Sequence, residues 1–154
     1  MAEAPSCSCG QNEKKRIIFP CAGQANTGQL TNLAAIQLTE EGYGSIACVA
    51  LLAIGSEGLV RNAKVVDEVV VLDGCPMLCA KKIAEAQGVP VGQHLILTEL
   101  GITKGPSKDY TQDDVEKIVA ACWKGEGRTK TAAPPDKKSG GNNSGCGCGC
   151  GGTC

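Results

Sequence analysis

The sequence predicts an α/β domain in which helices cover both faces of a mostly parallel sheet of about four strands, giving three layers. Short apolar runs alternate along the chain with stretches of helical periodicity, in the order β-α-β-α-β-α-β-α. The runs are continuously apolar, as is typical of strands covered on both faces. Strand–crossover–strand units are right-handed, which places the helices on the two sides of the sheet.

The first half of the domain is predicted to contain two strands and two helices. Residues 16–21 form an apolar run that ends in a Pro and a Gly-containing loop, which indicates a strand. A helix is predicted over residues 26–41, because apolar residues recur there at offsets of three and four. Residues 45–54 are apolar throughout; their first half is predicted to be the second strand, and residues 56–64 a short helix.

The second half is predicted to add two more strands and two more helices. Residues 65–72 contain a β-branched run that predicts the third strand, beginning at Glu68. A helix over residues 76–87 is predicted to begin with a Pro, whose missing N–H costs nothing at the first helical position. Residues 93–98 predict the fourth strand, and residues 112–124 predict a last helix whose first turn is acidic.

Composition divides the chain into four segments. Residues 1–15 are small, polar and charged, which predicts a flexible N-terminal segment, and residues 16–124 carry the α/β domain. Residues 125–145 are dominated by Gly, Pro, Lys, Thr and Ser, as in a flexible linker. Residues 146–154 alternate Cys with Gly and offer no core-forming residue, so only a bound metal could order this tail.

Charge and hydropathy exclude several classes of protein. The net charge of −1 argues against a broad nucleic-acid surface, and the apolar runs fall far short of the roughly 20 residues of a membrane span. The N-terminus lacks the basic and apolar regions of a secretory signal, so a cytoplasmic location is expected. In a reducing compartment, 11 cysteines in 154 residues indicate metal binding or redox chemistry more than structural disulfides.

Four of these cysteines are predicted to meet at one edge of the sheet. Cys21 follows the first strand, Cys48 lies late in the second, and Cys75 follows the third. The carboxyl ends of parallel strands share an edge, and Cys79 lies one helical turn after Cys75. Four thiolates suit tetrahedral zinc, although Cu(I) and an iron–sulfur cluster use the same ligand type. Asp73 is expected to hydrogen-bond to a ligand or to take a proton.

Packing offers another interpretation for individual cysteines, because a buried Cys behaves as a small hydrophobic residue. Cys48 is flanked by Ala and Val, so among the four it is the one that packing explains most easily. Cys122 lies on the apolar face of the last helix and is expected to pack in the core. His94, the one histidine, is expected at the edge opposite the cysteines, in a structural role.

The cysteine pattern resembles a known family. Two sequence motifs and one strand cysteine carry the resemblance: Asp73-Gly74-Cys75-Pro76-x-x-Cys79, Pro20-Cys21-Ala22-Gly23, and Cys48. They look like the DGC domain, a family of small zinc-binding proteins named for its Asp-Gly-Cys motif. The resemblance covers roughly residues 15–124 and implies a zinc site at Cys21, Cys48, Cys75 and Cys79. It does not extend to the tail.

The tail itself predicts a second soft-metal site, because Cys-x-Cys spacing lets neighbouring sulfurs reach the same ion. Its ligands would be Cys146, Cys148, Cys150 and Cys154, and Cys7 and Cys9 could join them. Glycine between the cysteines raises the entropy lost on ordering, so such a site would release its metal easily.

Three functions remain open on sequence grounds. The leading one is a non-enzymatic zinc-binding protein that serves metal trafficking or sensing. The alternative is a thiol-dependent redox or transfer enzyme, in which Cys75 is the nucleophile and Cys79 or Cys21 resolves the intermediate. In the third, zinc keeps an open position for a small thiol or oxyanion ligand. No nucleic-acid or membrane partner is expected.

Overall fold

The structure, a computed structural model, describes residues 14–129. These residues form a parallel four-stranded sheet flanked by five helices, which confirms the predicted α/β class. The predictions for residues 1–13 and 130–154, including those for the terminal cysteines, lie outside the described residues.

The four strands, all parallel, have the spatial order β2-β1-β3-β4. They are β1 (Arg16–Pro20), β2 (Ser45–Ile46), β3 (Glu68–Asp73) and β4 (Gln93–Ile96). The chain adds β2 on one side of β1 and then returns to add β3 and β4 on the other side. The direction in which strands are added to the sheet therefore reverses between β1 and β3. In open α/β sheets the crevice at the carboxyl ends of two such strands is the usual ligand site.

Five helices pack on the two faces of the sheet and complete the predicted three layers. They are α1 (Asn26–Glu40), α2 (Val49–Ala53), α3 (Glu57–Val65), α4 (Cys79–Ala86) and α5 (Gln112–Lys124). One core cluster joins α1 and α5 to Ile18 and Val70; the other joins α2, α3 and α4 to Phe19 and Val71. Successive strand residues therefore face different helices, which explains why the middle residues of β1 and β3 are all apolar.

The second strand is much shorter than its apolar run suggested. β2 holds two residues at the edge of the sheet, and α2 begins at Val49. Ala and Leu, which supply four of the five residues of α2, are strong helix formers, and among residues 14–129 β2 pairs with β1 alone. Cys48 is consequently the residue that precedes α2 rather than a late strand residue, and it is exposed rather than part of the core.

The helix after β3 also begins later than predicted. Its first residue is Cys79, not Pro76, and Leu78 before it adopts a left-handed conformation with φ 55°. Residues 75–78 form a turn in which the Leu78 N–H donates to the Cys75 carbonyl at 3.2 Å. Cys75 therefore lies one turn before the helix, and the predicted placement of Cys75 directly before a helix is wrong.

The last helix matches its predicted bounds because its signals are local. Thr111 and Asp114 form a reciprocal capping box at its start, and Gly125 ends it with φ 76°. Within residues 14–129, no helix combines the length and the apolarity needed to cross a membrane.

Candidate functional site

A cleft of about 460 Å³ lies at the carboxyl ends of β1 and β3, where the strand order reverses. Three of the four predicted cysteines line it: Cys21, Cys75 and Cys79. They come from three different places in the chain, namely the loop after β1, the loop after β3 and the first residue of α4. Three of the four cysteines that were predicted to meet at one edge of the sheet therefore lie around the same cleft.

Glycines bring the two loops of the cleft into contact. A Cβ on Gly28 would lie 2.4 Å from the Gly23 carbonyl oxygen, and a Cβ on Gly74 would lie 2.8 Å from the Gly28 nitrogen. Neither position has room for a side chain, so Gly allows this close backbone approach. The contact between Gly74 and Gly28 places residues 74–75 beside Cys21.

Cys21 is the most firmly positioned of the three cysteines. Its backbone N–H donates to the Leu72 carbonyl at 2.9 Å, which extends the ladder of β1 with β3. Its sulfur accepts from the Gly74 N–H at 3.4 Å and lies 3.7 Å from the Thr31 hydroxyl. The same hydroxyl accepts from the Ala22 N–H at 3.1 Å, so one side chain holds both the sulfur and the loop.

Cys79 is more exposed than the other two cleft cysteines. Cys75 is partly buried, and the Lys104 ammonium lies 3.6 Å from its sulfur. Cys79 is exposed at the start of α4. The two thiols can therefore be reached from solvent.

Asp73, the first residue of the Asp-Gly-Cys motif, is 1% exposed and holds the start of α4. Its carboxylate accepts from the Ala80 N–H at 2.9 Å and from the Lys81 N–H at 3.2 Å. The His94 Nε2 lies 2.9 Å from the same carboxylate. Asp73 thus positions Cys79 through the helix. His94, expected at the far edge, reaches the motif instead.

The remaining described cysteines lie outside the cleft. Cys48 lines a neighbouring pocket of about 570 Å³, which Cys21 also lines. Cys122 is fully buried, in agreement with its predicted packing role. Burial raises the pKa of the Cys122 thiol to about 12, so this thiol stays protonated near neutral pH.

The charges around the cleft favour anionic groups. Thr27 and Gly28, in the first turn of α1, line it, and that turn contains no acidic residue. Lys104 lines the cleft as well, and no Asp or Glu is among the described residues that do so. Helix N-termini carry a partial positive charge. Here the Thr27 N–H already donates to the Asn26 side chain at 2.7 Å and the Asn26 N–H to the Gly105 carbonyl at 3.2 Å.

The three cleft cysteines are suitable ligands for a soft metal, but the distances between their sulfur atoms are too long for one ion. Thiolate is a preferred ligand of zinc and of Cu(I). As they stand, however, no three His, Cys, Asp or Glu side chains between residues 14 and 129 are grouped closely enough to hold an ion. Three thiols thus line one cleft, but they are not close enough together to coordinate one ion.

Sequence reasoning missed Lys104 and Thr27. Lys104 comes from the segment between β4 and α5, which has no helical or strand periodicity to place it. The glycine spacing of the loop after β1 was the available signal for Thr27.

Comparison with known proteins agrees with the resemblance noted from the motifs. The DGC domain family matches residues 17–122. The anaerobic and virulence modulator AnvM of Pseudomonas aeruginosa is 30% identical over 102 residues, which cover 66% of this chain and 78% of that protein. No solved structure matches significantly. The match spans both loops of the cleft and all four motif cysteines, and the chain belongs to the DGC domain family.

Proposed function

We propose that this protein binds a soft metal, zinc, through the cleft cysteines Cys21, Cys75 and Cys79, and that this binding serves metal sensing or trafficking. Cys48 is the candidate fourth ligand, because it lies in a pocket that shares Cys21 with the cleft. The observation that carries the proposal is the meeting of three thiols, from the loop after β1 and from the 74–79 segment, in one cleft without a lining carboxylate among the described residues.

The surroundings of the thiols support metal binding. The Gly74 N–H donates to the Cys21 sulfur, and the Lys104 ammonium lies 3.6 Å from the Cys75 sulfur, so donor groups and not carboxylates surround the two thiols. A bound zinc would cross-link the loop after β1 to the start of α4, in the way that structural zinc sites tie loops together.

Binding would require the 74–79 segment to shift, because the three thiols do not yet converge. This segment is well suited to move. Leu78 holds a left-handed conformation that is costly for a residue with a side chain, and Cys79 is exposed. Metal capture would therefore change the position of α4, which is the kind of coupling that a sensor needs. A regulatory role also agrees with the name of AnvM, a modulator.

Elemental analysis of the full-length protein tests the proposal. Serine would first replace the six cysteines outside the described residues, so that they contribute no metal: Cys7, Cys9, Cys146, Cys148, Cys150 and Cys154. Protein purified without added metal should then carry about one equivalent of zinc, as expected for one tetrahedral site.

Substitutions within this background identify the ligands. Each of Cys21→Ser, Cys75→Ser and Cys79→Ser should lower the zinc content, whereas Cys122→Ala, which removes the buried thiol, should leave it unchanged. Cys48→Ser decides whether the neighbouring pocket supplies the fourth ligand. A parent protein with fully reduced thiols and only a small fraction of an equivalent of any transition metal would overturn the proposal.

A thiol enzyme is the second candidate, and the contact between Lys104 and Cys75 favours it. The Cys75 thiolate would attack a disulfide of the substrate and release one substrate thiol. Attack by Cys79 or Cys21 on the mixed disulfide would then release the second thiol and leave a disulfide in the protein. Cys75 lies outside α4, so the positive group next to its sulfur is the Lys104 ammonium and not the helix end.

Alkylation of metal-free protein near neutral pH distinguishes this candidate. Rapid labelling of Cys75 that slows in Lys104→Gln would support it. Slow and equal labelling of Cys75 and the exposed Cys48 would exclude it, since Cys48 has no comparable ammonium contact among the described residues.

A further inference from the structure

We propose that Asn26 is a positioning residue of the cleft. It fixes residues 103–109, which we call the wall segment, and so keeps the Lys104 ammonium beside the Cys75 sulfur. In consequence Cys75 reacts with negatively charged partners faster than an ordinary thiol does. The inference deepens the proposed function and rests on it, because Cys75 is one of the proposed metal ligands.

Asn26, the first residue of α1, uses the full hydrogen-bonding capacity of its side chain. Its Oδ1 accepts from the Thr27 N–H and from the Gly105 N–H, both at 2.7 Å. Its Nδ2 donates to the Thr103 carbonyl at 2.9 Å and to the Asp109 carbonyl at 2.8 Å. A side-chain amide offers two donor and two acceptor positions, so none is left over. Asn26 is also buried, and it therefore holds a fixed orientation.

Most of these bonds go to the wall segment. Two of them hold the peptide groups on either side of Lys104, at the Thr103 carbonyl and the Gly105 N–H. The Asn26 N–H adds a bond to the Gly105 carbonyl at 3.2 Å. The wall segment has no hydrogen bond to the rest of the described residues except those with Asn26 and the thiol contact of Lys104. Its position therefore depends on Asn26.

The wall segment brings one positive charge to the cleft. Its residues 104–107 line the cleft, and it contains neither a helix nor a strand that would hold it in place. The Lys104 ammonium lies 3.6 Å from the Cys75 sulfur, and no described Asp or Glu lines the cleft to neutralise it. In water, one unit charge at about 4 Å changes a rate about 5-fold. Lys104 therefore makes Cys75 sensitive to the charge of its partner.

The test compares two alkylating reagents, anionic iodoacetate and neutral iodoacetamide, on the reduced, metal-free, full-length protein. Both react with the thiolate, so the ratio of their rates at one cysteine does not depend on how much of that thiol is ionised. Fragmentation mass spectrometry gives this ratio at Cys75 and at the exposed Cys48, which has no ammonium contact among the described residues. The iodoacetate-to-iodoacetamide ratio should be about 2- to 5-fold higher at Cys75, and added salt should reduce the difference.

Two lysine variants show which charge is responsible. Lys104→Gln should lower the ratio at Cys75 to the value at Cys48. Lys108→Gln removes a positive charge from the same wall segment, but Lys108 does not line the cleft, so this variant should leave the ratio unchanged.

The Asn26 variants show whether this residue acts through Lys104. Asn26→Ala removes no charge, yet it should lower the ratio at Cys75 as Lys104→Gln does. The double variant should fall no further than Lys104→Gln alone, because both changes act on the same contact. Tyr43→Phe is the control for lost stability. It removes a hydroxyl that donates to the Cys122 carbonyl at 2.9 Å, away from the cleft, and it should leave the ratio unchanged.

Hydrogen exchange in the unchanged protein tests the clamp even where Asn26→Ala does not fold. The Gly105 N–H, which donates to Asn26, should exchange slowly. The Lys104 and Ser107 N–H groups have no acceptor among the described residues and should exchange fast.

Three results would overturn the inference. The first is a Gly105 N–H that exchanges as fast as that of Ser107, and the second is an equal reagent ratio at Cys75 and Cys48. The third is a folded Asn26→Ala protein whose ratio at Cys75 is unchanged or is matched by Tyr43→Phe. Zinc content is measured separately. Normal zinc content beside any of these results would leave the proposed function standing, and the expected ratios in a protein that binds no zinc would remove the metal proposal alone.

Discussion

Replacement of Gly28 by alanine tests the close approach of the loop after β1 to the first turn of α1. A Cβ at this position would lie 2.4 Å from the oxygen, 2.5 Å from the carbonyl carbon and 2.6 Å from the Cα of Gly23. These are backbone atoms, which cannot rotate away as the end of a side chain can. Ordinary contacts begin near 3.4 Å, so the loop after β1 would have to move by about 1 Å (3.4 − 2.4).

The expected loss of stability is the difference between two opposing effects. Alanine in a helix is favoured over glycine by at most about 1 kcal/mol. Overpacking of a close contact costs about 1–3 kcal/mol. Gly28→Ala should therefore lower the free energy of unfolding by up to about 2 kcal/mol, even though alanine is the better helix former.

Gly58→Ala is the matched control, because Gly58 also lies in a helix and nothing is within 4 Å of the added Cβ. It should raise the free energy of unfolding by about 0.5–1 kcal/mol. Urea denaturation of the full-length variants measures both values. If Gly28→Ala proves as stable as Gly58→Ala, Gly23 does not pack against the first turn of α1 as described, and the reason given for a glycine at residue 28 fails.

Three other predictions concern Asp73 and the described cysteines. Asp73→Ala should lower the free energy of unfolding by about 2–4 kcal/mol, since it removes the cap of α4 and leaves His94 without its partner; unchanged stability in urea would contradict the role given to Asp73. In metal-free protein, alkylation followed by mass spectrometry should modify the exposed Cys48 and Cys79 before the buried Cys122, and early labelling of Cys122 would contradict its burial. Because burial raises the pKa of Cys122 to about 12, the folded state keeps a proton that the unfolded state loses from about pH 8.5. Stability should therefore be unaffected by this thiol below that pH and should fall, by up to about 1.4 kcal/mol per pH unit, as the pH rises towards 12. Cys122→Ala should remove this part of the alkaline loss seen in pH-dependent urea denaturation, and an unchanged loss would refute the assignment.

The sequence predicts the elements whose signals are local. The capping pair Thr111 and Asp114 and the terminal Gly125 define α5 from neighbouring residues alone. The β-branched run of β3 likewise specifies a strand buried on both faces. Such elements need no knowledge of their partners, which is why their bounds agree with the structure.

Elements whose limits depend on distant contacts are harder to predict. The strand β2 stops after two residues because it lies at the sheet edge, and the sequence does not reveal the strand order. The start of α4 depends on the Asp73 carboxylate, which binds N–H groups seven and eight residues further on. Pro76, three residues before Cys79, is the stronger local signal for a helix start, and for this reason the predicted start of α4 was wrong.

The candidate site shows the same division. The predicted strand ends locate Cys21 and Cys75 at the edge where the structure has them. Cys48 lies in the neighbouring pocket instead of the cleft, since β2 ends two residues before it. Lys104 could not be placed, since it precedes α5 in a segment without periodicity. The sequence therefore predicts the type of chemistry at this edge, and the structure adds the charged and hydroxyl groups around the thiols.

Zinc K-edge X-ray absorption on the full-length protein without its terminal cysteines tests the central claim most directly. The account predicts a shell of three or four sulfur atoms at about 2.3 Å, reduced by one sulfur in each of the Cys21→Ser, Cys75→Ser and Cys79→Ser variants that still binds zinc. A first shell of oxygen and nitrogen atoms alone, or a sulfur shell that none of the three substitutions alters, would contradict it.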